Sequence, residues 1–401
     1  MNRAEPIVVQ LLSSAGITVN GSAPWDIQVH DDRFYRSVLR YKNLGLGESY
    51  MKGWWDCRQL DAMVYRLLAS GIEDKVRGDL RYLIRFLPGL LFNLQTRRGS
   101  RKPAERHYDL GNDLFFSFLD PYHQYSCGYF QDTDDLGEAQ MNKMALLCRK
   151  LNLSPEDRVL DIGCGWGGFA KYAAERIGCS VTAVNISREQ LGYARELCRG
   201  LPVSVEDCDY RSIRGRFDKV VSVGMFEHVG VKNYRTFMKI AHRCLENNGI
   251  FLLHTIGGNR SRTSCDPWVT KYIFPNSMLP SLVQINRAVE GLFVVEDCHN
   301  LAHHYDKTLM AWHANFQLAW YRLKTKYDEV FKRMWDYYLL SCAGAFRARS
   351  NQVWQIVMTK LGTATPQPEC RSAPGVKFEQ SAEESVALGC AGETCADLTS
   401  A

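Results

Sequence analysis

The spacing of apolar side chains changes character along the chain. Beyond residue 158, short apolar runs at 159–162, 181–186, 203–205, 219–223, 250–254 and 293–297 alternate with stretches of helical periodicity. Strands that alternate with helices tend to pair in parallel and bury both sheet faces, so the pattern predicts an α/β domain with a mostly parallel sheet. Residues 5–92 read differently. There, apolar positions recur at helical spacing over 35–41 and 60–69, with short strand-like pieces at Ile17-Thr18-Val19 and Ile27-Gln28-Val29. Residues 97–103 are polar, charged and uncapped, which suits a connector. The expected organisation is a small mixed α/β N-terminal domain over 1–92, a linker over 93–106, the larger α/β domain over 107–360 and a tail over 361–401.

Composition narrows the class. With 401 residues, 46% of them apolar, the chain can bury one large core and a smaller one. No uninterrupted apolar run approaches the roughly 20 residues of a membrane span. Met1-Asn2-Arg3-Ala4-Glu5-Pro6 lacks the apolar block of a secretory signal. The 14 cysteines are scattered without metal-ligand spacing, so reduced thiols in the cytoplasm and no metal site are expected.

Charge is distributed unevenly. Over 361–401, Glu369, Glu379, Glu383, Glu384, Glu393 and Asp397 face only Arg371 and Lys377, a net of −4, which leaves +9 on the remainder of a chain whose total is +5. That tail, with Cys370, Cys390 and Cys395 in it, has little to bury and reads as disordered. The positive charge gathers at Lys75, Arg77, Arg81, Arg85, Arg97, Arg98, Arg101, Lys102 and Arg106, interleaved with leucines. Cations around an apolar stripe suit an anionic membrane surface. The bland alternative is a helix packed on its leucines and broken at Pro88-Gly89. Neither a nucleic-acid motif nor a base-stacking platform accompanies the charge, so no nucleic-acid partner is expected.

The strongest local signal is Val159-Leu160-Asp161-Ile162-Gly163-Cys164-Gly165-Trp166-Gly167-Gly168-Phe169. An apolar strand ends in an acid, and a glycine turn then enters a helix. This is a Rossmann-like arrangement in which backbone approaches a ligand closely. No Lys-Ser/Thr follows, so the turn is not a phosphate-gripping loop. It reads as a pocket for S-adenosylmethionine, with Asp161, Gly163, Cys164 and Gly165 at its edge. The next strand ends at Asn185-Ile186-Ser187, with Gln190 a turn later, offering neutral partners near an adenosine ribose. Asp209 and Tyr210 offer an acceptor for the adenine amino group and an aromatic face.

An ordered set of stretches then points to a family. They are Gly45-Leu46-Gly47-Glu48-Ser49-Tyr50-Met51 with Gly53-Trp54-Trp55, His107-Tyr108-Asp109-Leu110-Gly111-Asn112-Asp113 and Gln124-Tyr125-Ser126-Cys127. Further along come Val223-Gly224-Met225-Phe226-Glu227-His228-Val229-Gly230, His254-Thr255-Ile256-Gly257 and Tyr272-Ile273-Phe274-Pro275. Tyr305-Asp306-Lys307-Thr308-Leu309-Met310-Ala311-Trp312 and Cys342-Ala343-Gly344-Ala345-Phe346-Arg347 complete the set. From about residue 17 to 358, the chain resembles the bacterial cyclopropane-fatty-acyl-phospholipid synthases. Asn185 departs from the Thr usual there, and the tail has no counterpart.

The resemblance implies a class I methyltransferase fold and a reaction on membrane lipid. The cis double bond of an unsaturated phospholipid acyl chain takes up the activated methyl of S-adenosylmethionine, and loss of a proton closes a cyclopropane ring. It also implies Tyr125 and Ser126 at the cofactor, and a bicarbonate ion as base, cradled by Cys127, Glu227, His254, the Ile256 backbone and Tyr305. Homodimers through the leading domain and peripheral attachment to the inner membrane face follow from the same resemblance. Singly, each of these residues has a plainer reading: Glu227 as a helix cap, His254 as a satisfied core histidine, Cys127 as a small hydrophobe and Tyr305 as a packed ring. Cys342 is carried as a further site candidate. Alkene methylation offers no acyl carbon for a thiolate, so its expected place is structural or lipid-facing. Two other functions remain: a methyltransferase leaving a methyl branch or N-methyl product, and a non-catalytic lipid-surface protein of the same fold.

Overall fold

The computed structural model describes residues 4–71 and 111–363. The basic stretch at 75–106, the expected linker, residues 107–110 and the tail beyond 363 therefore lie outside the described residues. The leading part forms helices α1 (Glu5–Ser13), α2 (Arg33–Tyr41), α3 (Asn43–Met51) and α4 (Leu60–Ala69). Between them, the two-residue strands β1 (Gln28–Val29) and β2 (Trp55–Asp56) pair antiparallel. Ile17-Thr18-Val19 contributes only one bridge, from Val19 to Ile27. Val8, Ile27, Phe34, Trp55 and Met63 of this part share one apolar core with Phe115, Phe118, Trp312 and Trp335.

Two helices precede the main sheet, α5 (Asn112–Phe116) and α6 (Leu136–Leu151). α6 starts where the Asp135 carboxylate accepts from the Glu138 N–H at 2.8 Å, satisfying an otherwise orphaned helix donor. It stops at Asn152, whose φ of 49° is left-handed. The α/β alternation then runs β3 (Arg158–Ile162), α7 (Gly168–Arg176), β4 (Ser180–Asn185), α8 (Arg188–Leu197), β5 (Val203–Asp207), β6 (Phe217–Val223), α9 (Tyr234–Cys244) and β7 (Leu245–Gly258). After β7 come α10 (Pro267–Tyr272), α11 (Leu282–Val289), β8 (Phe293–Asn300), α12 (Ala302–Leu323), α13 (Glu329–Arg347) and β9 (Asn351–Lys360).

The seven strands order as β5-β4-β3-β6-β7-β9-β8. β3 to β7 are parallel, and β9 runs antiparallel to both of its neighbours. This is the mostly parallel α/β sheet that the apolar runs predict. The addition is β9. Val353, Trp354, Ile356, Val357 and Met358 put apolar groups on both of its faces, as a strand in the middle of a covered sheet requires. The strand order reverses beside β3, with β4 and β5 to one side and β6 and β7 to the other. Such a switch point opens a crevice at the strands' carboxyl ends.

α13 ties the leading part to the sheet domain. A Cβ at Gly344 would lie 2.4 Å from the Asp61 carbonyl oxygen, so only glycine lets α13 and α4 approach this closely. Three residues on, Arg347 donates to both Asp306 oxygens at 2.9 Å and to Asp61 at 2.7 Å, a charge-assisted fork joining α4, α12 and α13.

Candidate active site

The glycine turn after β3 is held in a left-handed backbone, with φ of 88°, 56° and 87° at Gly163, Gly165 and Gly167. Side chains resist that conformation, which explains the three glycines. They differ in surroundings. A Cβ at Gly163 would lie 2.6 Å from the Met225 side chain and one at Gly167 3.0 Å from Ala194, whereas one at Gly165 would meet nothing within 4 Å. Gly163 and Gly167 serve packing, while Gly165 faces open space. The N–H groups of Gly163 and Cys164 donate to the Val184 carbonyl at 2.9 and 3.2 Å, fastening the turn to β4.

Above the turn lies an open cleft at the carboxyl ends of β3, β4 and β6. Its wall contains Tyr125, Ser126, Asp161, Gly163, Cys164, Gly165, Asn185, Ile186, Gln190, Asp209 and Tyr210, all expected there. Ser187 stands behind the wall, buried at the start of α8. Asn185 is committed locally: its Nδ2 donates to the Gly165 carbonyl at 3.2 Å and to Gln190 Oε1 at 2.9 Å, and its Oδ1 accepts from the Ile186 N–H at 2.7 Å. It braces the turn. The Asp209 carboxylate likewise accepts from the Arg211 N–H and guanidinium, both at 2.9 Å. The Tyr210 ring packs 5.4 Å from Phe237.

The wall also holds residues that sequence reasoning did not assign, including His123, Gln124, Trp166, Arg211, Met225 and His228. Several flank residues that were assigned, so adjacency was the available signal. Burial pushes the His228 imidazole down to about 4, leaving it neutral.

The six remaining candidates do not line the cleft; they stand back from it, with Cys127, Glu227, His254 and Tyr305 buried and Ile256 and Cys342 partly so. Glu227 sits in a single 3-10 turn, Phe226–His228, directly after β6. Its Oε1 accepts from the Ile256 N–H at 2.6 Å, and its Oε2 is buried without a hydrogen-bond partner. Burial pushes this carboxyl up to about 7. His254 follows on β7, its Nδ1 3.2 Å from Gln355 Nε2 of β9. Burial, with the cations Lys143 and Lys150 adding to it, lowers His254 to about 3, so the ring is neutral.

Cys127 is fully buried, its Sγ 3.2 Å from the Gly128 carbonyl, and burial raises its thiol far above the ordinary range. Tyr305 on α12 is buried against Phe346, with ring centroids 4.6 Å apart. Burial raises its phenol, and Cys127, Tyr125, Glu227 and Cys342 add to that rise. Cys342 is only partly buried by its neighbours, yet its thiol is pushed up to about 12 by desolvation. Neither thiol is a ready nucleophile.

The turn and cleft fit S-adenosylmethionine: open space over Gly165, backbone within reach and no phosphate-gripping lysine. The set standing back from the cleft fits a small hydroxyl-bearing anion in one respect. Glu227 Oε2 is a buried acceptor lacking a donor, which costs stability until one arrives. The Ile256 N–H, by contrast, is already spent on Glu227.

Comparison with known proteins agrees with this geometry. Residues 95–356 match the family model described as mycolic acid cyclopropane synthetase. The chain is 50% identical over 354 residues to the cyclopropane-fatty-acyl-phospholipid synthase of Escherichia coli strain K12, covering 88% of this chain and 93% of that one. It is 33% identical over 355 residues to a tuberculostearic acid methyltransferase of Mycobacterium tuberculosis, covering 82% of each. Among solved structures, mycolic acid cyclopropane synthase CmaA1 complexed with SAH and CTAB is 33% identical with a TM-score of 0.60, covering 65% of this chain and 98% of that one.

Proposed function

The chain belongs, as an enzyme, to the mycolic acid cyclopropane synthetase family, and from that premise we propose that it converts the cis double bond of unsaturated phospholipid acyl chains to a cyclopropane ring. S-adenosylmethionine supplies the activated methyl and leaves as S-adenosylhomocysteine, while bicarbonate supplies the acceptor for the proton lost at ring closure. The cleft residues from Tyr125 to Tyr210 would hold the first, and Cys127, Glu227, His254 and Tyr305 the second, with the Ile256 N–H fixing Glu227 in place of touching the ion.

The chain's own contribution is placement and dryness. An alkene is a poor nucleophile, so alignment within a water-poor site must provide much of the rate. The Tyr305 ring packs 5.9 Å from Trp312 and 4.6 Å from Phe346, and aromatic faces favour a cation developing beside them. The observation that carries the reading is Glu227: a buried carboxyl with Oε1 fixed by the Ile256 N–H, the Thr255 hydroxyl near enough to favour its ionised form, and Oε2 making no hydrogen bond of ordinary geometry, in the same turn as the cleft residue His228. A carboxylate so placed accepts a hydroxyl and keeps a bound base oriented. His254, neutral by burial, adds no competing positive charge.

Expression in a bacterium lacking cyclopropane lipids, followed by fatty-acid analysis, tests the proposal. The expected product is a one-carbon gain that resists hydrogenation. A methyl-branched product would replace the proposal with the branching reaction, and absence of labelled-methyl transfer to unsaturated vesicles would remove the enzyme reading on lipid.

Among the described residues no helix is long and apolar enough to cross a membrane. We take the protein to work as a peripheral homodimer on the cytoplasmic membrane face, docking partly through its excess positive charge. Binding to anionic vesicles should then weaken as salt rises from about 0.1 M to 1 M, where the screening length falls from about 10 Å to 3 Å. Co-sedimentation that does not change with salt would remove the electrostatic part.

A further inference from the structure

Lys143 has no part in the scheme above, yet it is among the largest side chains with no exposed surface. It projects from α6, and its Nζ donates to Ser126 Oγ at 2.9 Å and to Gln124 Oε1. Both acceptors stand on the cleft wall. The glycine turn also closes against this stretch, since a Cβ at Gly168 would lie 2.0 Å from the Tyr122 carbonyl oxygen and 2.4 Å from Gln124 Nε2. One helical turn earlier, Gln140 is equally buried and donates its Nε2 to the Ser126 carbonyl at 2.8 Å. α6 thus grips one stretch of cleft wall through two side chains.

The same ammonium answers a second need. Asp161, at the end of β3, is buried with its Oδ2 lacking a hydrogen-bond partner. Burial pushes that carboxyl up to about 7, and the field of Lys143 is what opposes the rise. In return Asp120, Cys127 and Asp161 hold a proton on Lys143 against the desolvation that pulls it down to about 8. A lysine needed only to fill space would be replaceable by an apolar chain of similar length at no expense to the cleft. This one bridges two wall residues, Gln124 and Ser126, while its charge acts on the Asp161 carboxyl.

We infer that Lys143 is a positioning residue for the methyl donor, fixing Gln124 and Ser126 in the cleft wall and supplying the counter-charge to Asp161. The inference rests on S-adenosylmethionine as the cleft's occupant. The test uses the full chain, with S-adenosylhomocysteine as the calorimetric probe and steady-state kinetics in S-adenosylmethionine. Lys143→Met should weaken the probe and raise KM for the donor by about tenfold or more, the worth of lost charge-assisted bonds, while kcat at saturating donor stays unchanged. Gln124→Leu should weaken the probe as well, and the double variant should be no weaker than Lys143→Met alone, because the two act through one contact. Probe affinity within about twofold of wild type in Lys143→Met, or a loss confined to kcat, would overturn the inference. Should Lys143→Met not fold, wild-type affinity in Gln124→Leu would overturn it. A wild-type protein that does not bind the probe would instead remove the cofactor reading on which the inference stands.

Discussion

Glu227→Gln should lower turnover by about 10²- to 10⁴-fold, the range for removing a group that governs proton transfer, while leaving S-adenosylhomocysteine binding within about threefold. The amide is isosteric, so the Ile256 N–H keeps an oxygen to bond at Oε1. What is lost is an anionic acceptor at Oε2. The same substitution has a signature in the ligand-free protein. The folded carboxyl, raised to about 7 from the ordinary 4.5, binds its proton more tightly than in the unfolded chain. Its contribution to stability is therefore complete below about pH 4.5 and declines as pH rises through about 7. Urea denaturation across that window should show wild type losing stability faster than Glu227→Gln. Full turnover in the variant, or identical pH profiles for the two proteins, would contradict the placement of Glu227. An enzyme less active but more stable is the usual mark of a site whose strain serves function.

Gly165→Leu should abolish cofactor binding, weakening S-adenosylhomocysteine by at least about 100-fold, or about 2.7 kcal/mol, with the fold retained. Its φ of 56° is one that leucine adopts at a cost of about 1–2 kcal/mol. The new side chain would enter open space instead of colliding with protein, because nothing lies within 4 Å of the Cβ position. That distinguishes it from Gly163, where a Cβ meets Met225 and a loss of binding would be mixed with unfolding. Calorimetric titration with circular dichroism as the folding control decides the matter. Undiminished affinity in a folded variant would move the cofactor away from the turn.

Both residues stood out in the sequence, for different reasons. The turn at 161–168 announces itself because local backbone demand selects glycine, and local demand is what a single sequence displays best. Glu227, His254 and Tyr305 carry no local signal at all; only their family stretches single them out. Their partners were beyond reach for the same reason. Gln355, which holds His254, lies 101 positions away and meets it only because β9 pairs with β7. β9 escaped notice because Val353-Trp354 and Ile356-Val357-Met358 do not alternate with polar residues, and such runs lack a strand's period. Asn185, expected near the ligand from its place after β4, does line the cleft, but its bonds to Gly165, Gln190 and Ile186 are tertiary details that its position in the sequence did not display.

The position of β9 also bears on how the chain is made. Among the described residues it is the last strand to leave the ribosome, yet it belongs between β7 and β8. Until residue 360 has emerged, those two strands face an open slot, each with a row of unpaired amide groups of the kind that recruits other chains. The nascent protein must shelter that slot while the helices from 302 to 347 are synthesised. A message cut short before codon 351 would yield a product with two raw edges and a half-held His254, a species expected to form inclusion bodies and not a smaller enzyme.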